Sequence, residues 1–213
     1  MSTSVSAAPA AAPQIITLQQ ALRDERRRAR SLERQLALAT AVATIDPLTH
    51  VANRGGFDRE LSRLVASGRS LSLALVDLDD FKQINDTHGH PIGDLALQTI
   101  AGWMAADLRR TDYIARYGGD EFALLLFGAR VRSIERRLAE MLKKLSERRL
   151  TFERDKVSHT LQISMSCGVA GYMPGDTTSS LLRRADEALY AAKGAGKNRF
   201  FPRQEAEGSA DEA

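Results

Sequence analysis

A chain of 213 residues with 43% hydrophobic side chains is long enough for one ordinary domain plus an extension, and apolar enough to bury a core. Its 30 basic and 27 acidic residues leave a formal charge of +3, too balanced for a nucleic-acid protein, although a pI of 9.2 suits phosphorylated ligands. A lone cysteine, Cys167, excludes an internal disulfide and fits a reducing, cytoplasmic setting, and no apolar run approaches the ~18 residues of a membrane span.

Residues 1–13 are rich in Ser, Ala and Pro, a composition that predicts a disordered segment rather than a secretory signal. Residues 14–45 read as one helix, about 48 Å long. Ile15, Leu18, Leu22, Ala29, Leu32, Leu36, Ala39 and Ala43 fall on heptad a and d positions, broken only by Glu25, and predict a coiled-coil stalk. The Arg-rich section 23–34 reads as a solvated face, with a membrane-surface role as the alternative. Pro47 ends the helix.

A helix is expected near 54–68, then a buried strand, Leu71–Val76, that runs into Asp77-Leu78-Asp79-Asp80. Acids crowded at the end of a buried strand are costly unless a cation or water receives them. Asp77 together with Asp120 would suit a hard cation such as Mg²⁺; the alternative is that these acids open a surface loop. Helices follow near 81–88 and 92–108. Strand-like runs Tyr113–Tyr117 and Phe122–Phe127 then flank Gly118-Gly119-Asp120-Glu121, a hairpin signal because tight turns use positive φ.

A helix near 131–148 precedes strands near 150–156 and 159–171, with Cys167 as a small buried residue of the second. The helix 178–193 carries the stripe Leu181, Leu182, Ala185, Leu189 and Ala192, with a cap at Thr177–Ser179 and a stop at Gly194. A last strand covers 198–201, and the tail 203–213 is polar, acidic and expected to be disordered. This order of elements predicts an α/β (α+β) sandwich with a central, mostly antiparallel sheet flanked by helices.

Four stretches, in order, resemble the GGDEF-domain family of diguanylate cyclases: Asp46-Pro47-Leu48-Thr49 with Asn53-Arg54; Asp77 through Asp94; the Gly118–Phe122 turn; and Ala185–Tyr190 with Lys193–Asn198. The resemblance spans 46–202 as the catalytic domain and implies the palm-like fold of nucleotidyl cyclases behind a long N-terminal helix. It implies condensation of two GTP into cyclic di-GMP and two pyrophosphates across a homodimer joined by the stalk. Carried over residue by residue, Asp77, Asp120, the Leu78 carbonyl and, more loosely, Glu121 would hold two Mg²⁺ (Mn²⁺ as an alternative ion), with Asp120 also the base for the 3′-hydroxyl. Lys82 would stabilise the triphosphate, the Phe81 and Lys82 amides would cradle phosphate, and Lys193 and Lys197 would bind it further. The family's second basic residue is usually Arg, and Lys197 keeps the charge without the bidentate fork.

Asn85 and Asp94 match the guanine-reading positions and His90 a nearby contact; read by spacing alone, Asn85 and Asp94 would be helix caps. Arg109 and Asp112 form an Arg-x-x-Asp that by spacing is an i,i+3 ion pair and by resemblance an inhibitory product site, with Arg136 or Arg137 as a second basic partner. The competing readings are a non-catalytic domain that binds cyclic di-GMP or GTP, and a coiled-coil adaptor.

Overall fold

The computed structural model of the protein describes residues 11–42, 44–127, 131–154 and 156–202. Residues 1–10 and 203–213, expected to be disordered, lie outside the described residues, as does Ala43 of the heptad pattern. The chain divides into two compact units at residue 44. The first contains one helix, α1 (Ala11–Val42), which begins ahead of the expected position 14. On it Leu22 and Leu32 stand open to solvent, 53% and 64% exposed. No helix among the described residues is long and apolar enough to cross a membrane.

The second unit runs β1 (Ala52–Asn53), α2 (Arg54–Ala66), β2 (Leu71–Leu78), α3 (Phe81–His88), α4 (His90–Asp107), β3 (Tyr113–Arg116), β4 (Glu121–Phe127), α5 (Val131–Glu147), β5 (Arg149–Arg154), β6 (Val157–Gln162), β7 (Met165–Gly171), α6 (Thr178–Gly194) and β8 (Phe200–Pro202). Six strands form one sheet in the order β1-β3-β4-β2-β7-β8. Its three inner pairings, β3–β4, β4–β2 and β2–β7, are antiparallel, and the two edge pairings are parallel.

Central strand β2 is buried along its whole length, as its unbroken apolar run requires. Its alternation divides the core. Ala74, Val76 and Leu78 pack with Ile100, Met104 and Leu138 of α4 and α5 on one face. Leu71, Leu73 and Leu75 pack with Phe57, Leu61, Leu181 and Leu189 of α2 and α6 on the other. Each such buried leucine contributes about 1.5–3 kcal/mol. Helix α6 lies so close to β7 that a Cβ on Gly168 would collide with the backbone of Ala185 and Leu189. Thr177 caps α6 by accepting from the Ser180 N–H at 3.1 Å, as its sequence predicts.

Two expectations need correction. The single strand expected over 159–171 is two strands: β6 pairs only with β5 in a separate hairpin, and β7 enters the main sheet after a break at Ile163-Ser164. The apolar pattern continues through Ile163 because it is buried, 2% exposed, in the main core at the break itself. The glycines of the 118–121 turn do not take positive φ; among the described residues the glycines that do are Gly68, Gly89, Gly175 and Gly196. A Cβ on Gly118 would stand 2.5 Å from Glu121 Oε2, the tip of a flexible side chain that can give way.

Candidate active site

The alternation that puts Leu71, Leu73 and Leu75 on the α6 face of β2 continues to Asp77, so its carboxylate emerges on that face at the strand's end. Lys193, in the last turn of α6, meets it there, with Nζ 2.8 Å from Asp77 Oδ2. Glu121 lies directly opposite Asp77 in the β2–β4 register, and opposed residues share a face. Asp120 closes the turn before β4, and its carbonyl accepts from the Leu78 N–H at 3.3 Å. The backbone thus joins the two acidic stretches that are far apart in sequence.

These acids disturb one another. Burial pushes the Asp77 carboxyl above its ordinary range; Lys193 opposes this, while the charges of Asp120 and Asp79 add to it. Glu121 is also raised, first by burial and then by Asp77 and Asp120. One ammonium therefore faces several carboxylates. That excess of hard oxygen donors fits a divalent cation held by Asp77, Asp120 and the Leu78 carbonyl, with Glu121 beside them. Among the described residues no group of three or more His, Cys, Asp or Glu could hold a metal by itself. Mg²⁺ does not need one, since one or two carboxylates suffice and water and phosphate complete its shell.

The two acids that follow Asp77 have partners of their own, although the Asp79 charge still adds to the field at Asp77. Asp79, 6% exposed, accepts from Ser164 Oγ at 2.9 Å, Ser166 Oγ at 2.7 Å and the Asn198 N–H at 2.9 Å. Asp80 pairs with Lys197, Nζ–Oδ1 2.6 Å, and this bond raises the lysine's pKa. Asp80 is the residue before α3 and makes no side-chain cap bond, so the opening turn, with Phe81 and the exposed Lys82, retains orphan amide donors.

Helices α3 and α4 cross at Gly93, where a Cβ would strike Asn85 Oδ1. Neither Asn85 nor Asp94 caps a helix, because Gly89 stands at the start of α4. His90 and Asp94 are both exposed in the opening turns of α4.

Arg109 is exposed, but the Asp112 side chain is fully buried. Its carboxylate accepts from the Arg109 N–H at 3.0 Å, the Phe127 N–H at 3.3 Å and Arg137 Nη2 at 2.5 Å. Of the two candidate basic partners Arg137 is the one joined to Asp112; Arg136 pairs with Glu140 at the surface. Arg137 Nη1 is buried and has no hydrogen-bond partner among the described residues.

Sequence reasoning passed over Arg116. Its Nε and Nη2 donate to the Gly119 carbonyl at 3.1 and 2.8 Å, and its Nη1 reaches Asp46 Oδ1 at 3.3 Å. Asp46 also accepts from the Thr49 N–H and Oγ1 at 2.8 and 2.7 Å. Burial raises the Asp46 carboxyl, but Thr49 and Arg116 together outweigh it and the net shift is downward. The segment after the stalk is therefore tied to the acidic turn through one guanidinium.

Residues 43–199 match the family model described as "Diguanylate cyclase, GGDEF domain". The chain is 36% identical over 171 residues to the diguanylate cyclase VdcA of Vibrio cholerae, covering 80% of this chain and 50% of that protein. It is 34% identical over 172 residues to the response regulator PleD of Caulobacter vibrioides, covering 78% and 37%. The chain thus spans half or less of these curated relatives. A crystal structure of the coiled coil and GGDEF domain of DgcB from Caulobacter crescentus, in complex with c-di-GMP, superposes with a TM-score of 0.76 at 34% identity, over 88% of this chain and all of that one.

Proposed function

The chain belongs to the GGDEF family of diguanylate cyclase domains, and from that premise we propose that it condenses two GTP into cyclic di-GMP, each 3′-hydroxyl attacking the α-phosphorus of the other GTP and expelling pyrophosphate. The observation that carries the reading is the meeting of Asp77, Asp120 and Glu121 at the end of one sheet, with the Lys193 ammonium against Asp77.

Bound Mg²⁺ would supply Lewis-acid stabilisation of the phosphoryl oxygens and a lowered hydroxyl pKa. The chain's own residues do the rest. The Asp120 carboxylate takes the proton of the 3′-hydroxyl. Lys82, Lys193 and Lys197 neutralise the triphosphate, and the open amides at the start of α3 receive phosphate oxygens. Asn85 and Asp94 accept from the N–H edge of guanine, which adenine cannot reproduce, and His90 contacts the same substrate.

Each domain positions one GTP, so two copies must face each other. The stalk supplies the second copy through the heptad face that includes Leu22 and Leu32. Product inhibition would act through Arg109 at the surface, with Arg137 held beside it by Asp112.

Incubation of the purified chain with GTP and Mg²⁺, followed by chromatography of the nucleotides, tests the proposal. The expected result is cyclic di-GMP with two pyrophosphates per molecule, abolished by Asp120→Ala without loss of fold. Unchanged GTP would overturn it; cyclic di-GMP bound but never made would assign the domain as a receptor.

A further inference from the structure

The segment Gly196-Lys197-Asn198 has three consecutive residues in the left-handed region, with φ of 109°, 60° and 47°. Only the first is a glycine, so the backbone is held against its local preference. The end of α6 holds its first two residues, the Lys193 and Ala192 carbonyls accepting from the Gly196 and Lys197 N–H groups, both at 3.2 Å. Two side chains from the loop after β2 hold the rest: Asp79 accepts from the Asn198 N–H at 2.9 Å, and Asp80 pairs with the Lys197 ammonium at 2.6 Å.

Asp79 is the anchor of the two. Ser166 Oγ donates to its Oδ1, Ser164 Oγ donates to its Oδ2, and its own N–H donates to the Ser164 carbonyl at 2.9 Å. Both carboxylate oxygens are therefore fixed by the start of β7 before the third bond reaches Asn198. One residue on, the Arg199 carbonyl accepts from the Cys167 N–H at 2.9 Å and the chain enters the sheet as β8. The ends of β2 and β7 and the approach to β8 all converge on this one carboxylate.

We infer that Asp79 is a positioning residue: it clamps the left-handed 196–198 segment to the acidic loop, and so sets the Lys197 ammonium, together with the neighbouring Lys193, at the phosphate side of the site. This rests on the proposed role of these lysines in binding triphosphate. It is a role for hydrogen-bond geometry and not for charge, and that makes it separable from metal ligation. An asparagine at position 79 can still accept from the Asn198 N–H while donating to Ser166 Oγ; an alanine can do neither.

The test compares Asp79→Ala with Asp79→Asn in the full chain, by calorimetric titration with Mg²⁺-pyrophosphate, by GTP kinetics, and by hydrogen exchange at the Asn198 amide. Asp79→Ala is expected to weaken pyrophosphate binding about tenfold, to raise the KM for GTP by a similar factor with a smaller change in kcat, and to deprotect the Asn198 amide. Asp79→Asn is expected to restore all three to within about threefold of the parent. Should Asp79→Ala not fold, the pair Ser164→Ala/Ser166→Ala, which keeps the charge but frees the carboxylate, is expected to weaken pyrophosphate binding about threefold. An asparagine variant as impaired as the alanine one would show that charge matters, and would overturn the inference. So would an Asn198 amide or a pyrophosphate affinity indifferent to all the substitutions. Pyrophosphate affinity and amide exchange are read without turnover, so a chain that makes no cyclic di-GMP would sink the cyclase proposal and leave this one decided on its own measurements.

Discussion

Glu121 is half-buried on the same face as Asp77, and both carboxyls are raised by burial and by neighbouring acids. A native pKa above the unfolded value means that the fold disfavours the ionised form. Stability therefore falls as pH rises from the ordinary carboxylate range through the raised native value, and stays lowered above it. Glu121→Gln removes one of these charges, which face Asp77, Asp120, Asp186 and the single opposing Lys193. In EDTA at neutral pH the variant is expected to melt above the parent by no more than about 2 °C, since solvent screens a group that is only partly buried. The gain should vanish near pH 4, where the parent's carboxyl is also protonated, and should shrink in Mg²⁺, which relieves the same repulsion. A variant no more stable than the parent in EDTA would mean that the acids do not repel. Cys167 gives a second expectation at this scale: wholly buried, its thiol is pushed up to about 12. An alkylating reagent at mildly alkaline pH should leave the native chain unlabelled and label it fully in guanidinium chloride, as mass spectrometry would record.

Glycines at element crossings separate structural from functional tightness. Gly168 faces the backbone of α6, so Gly168→Ala must push a helix away and is expected to cost about 1–3 kcal/mol in chemical denaturation. Gly93 faces the tip of the Asn85 side chain, which can swing aside. Gly93→Ala should therefore leave the fold in place and, if Asn85 reads the base as proposed, raise the KM for GTP about tenfold, with kcat changed less. Equal losses of stability in the two variants would refute this distinction. The same contrast explains what could be read beforehand. Helix α6 was legible because its stripe and N-terminal cap are local, although it runs through Gly194, the expected stop, to a C-cap at Ala195; β2 was legible because its run is apolar throughout. The split between β6 and β7 was not, because Ile163 keeps the apolar pattern alive through the break. Nor were the partners of Asp79, which lie 85, 87 and 119 residues away, or those of Arg116, of which Asp46 is 70 residues away. Local pattern reports burial and periodicity; it carries no signal for which distant hydroxyl or carboxylate will receive a polar group. The acids at 77–80 could be recognised as a cluster, but their division into Asp77 toward the site and Asp79 into the clamp needed the third dimension.

For the molecule as a whole, the proposed reaction would require two domains while one chain supplies one. Leu22 and Leu32 of α1 are exposed at heptad positions, and a second stalk is the partner proposed for them. Joining two domains through such a stalk converts an encounter between them into an intramolecular event, with effective concentrations on the order of millimolar. A chain beginning at Thr44 keeps the Thr44 carbonyl that receives the Asn53 N–H at 2.7 Å, and with it the Asp46–Arg116 tie to the acidic turn. The proposed catalytic residues should therefore stay in place while the proposed stalk pairing is lost. The expectation is that its specific activity rises in proportion to enzyme concentration, and at submicromolar protein lies at least about tenfold below that of the full chain, whose specific activity stays flat. Adding Leu22→Glu and Leu32→Glu to the full chain should reproduce this concentration dependence, with a shift toward monomer in analytical ultracentrifugation. Arg116→Ala should do the reverse, lowering activity at every concentration with the oligomeric state unchanged, because it loosens the turn and not the pairing of chains. If the shortened chain were as active as the full one at low concentration, the stalk would have no part in bringing the half-sites together, and the heptad leucines would need another partner.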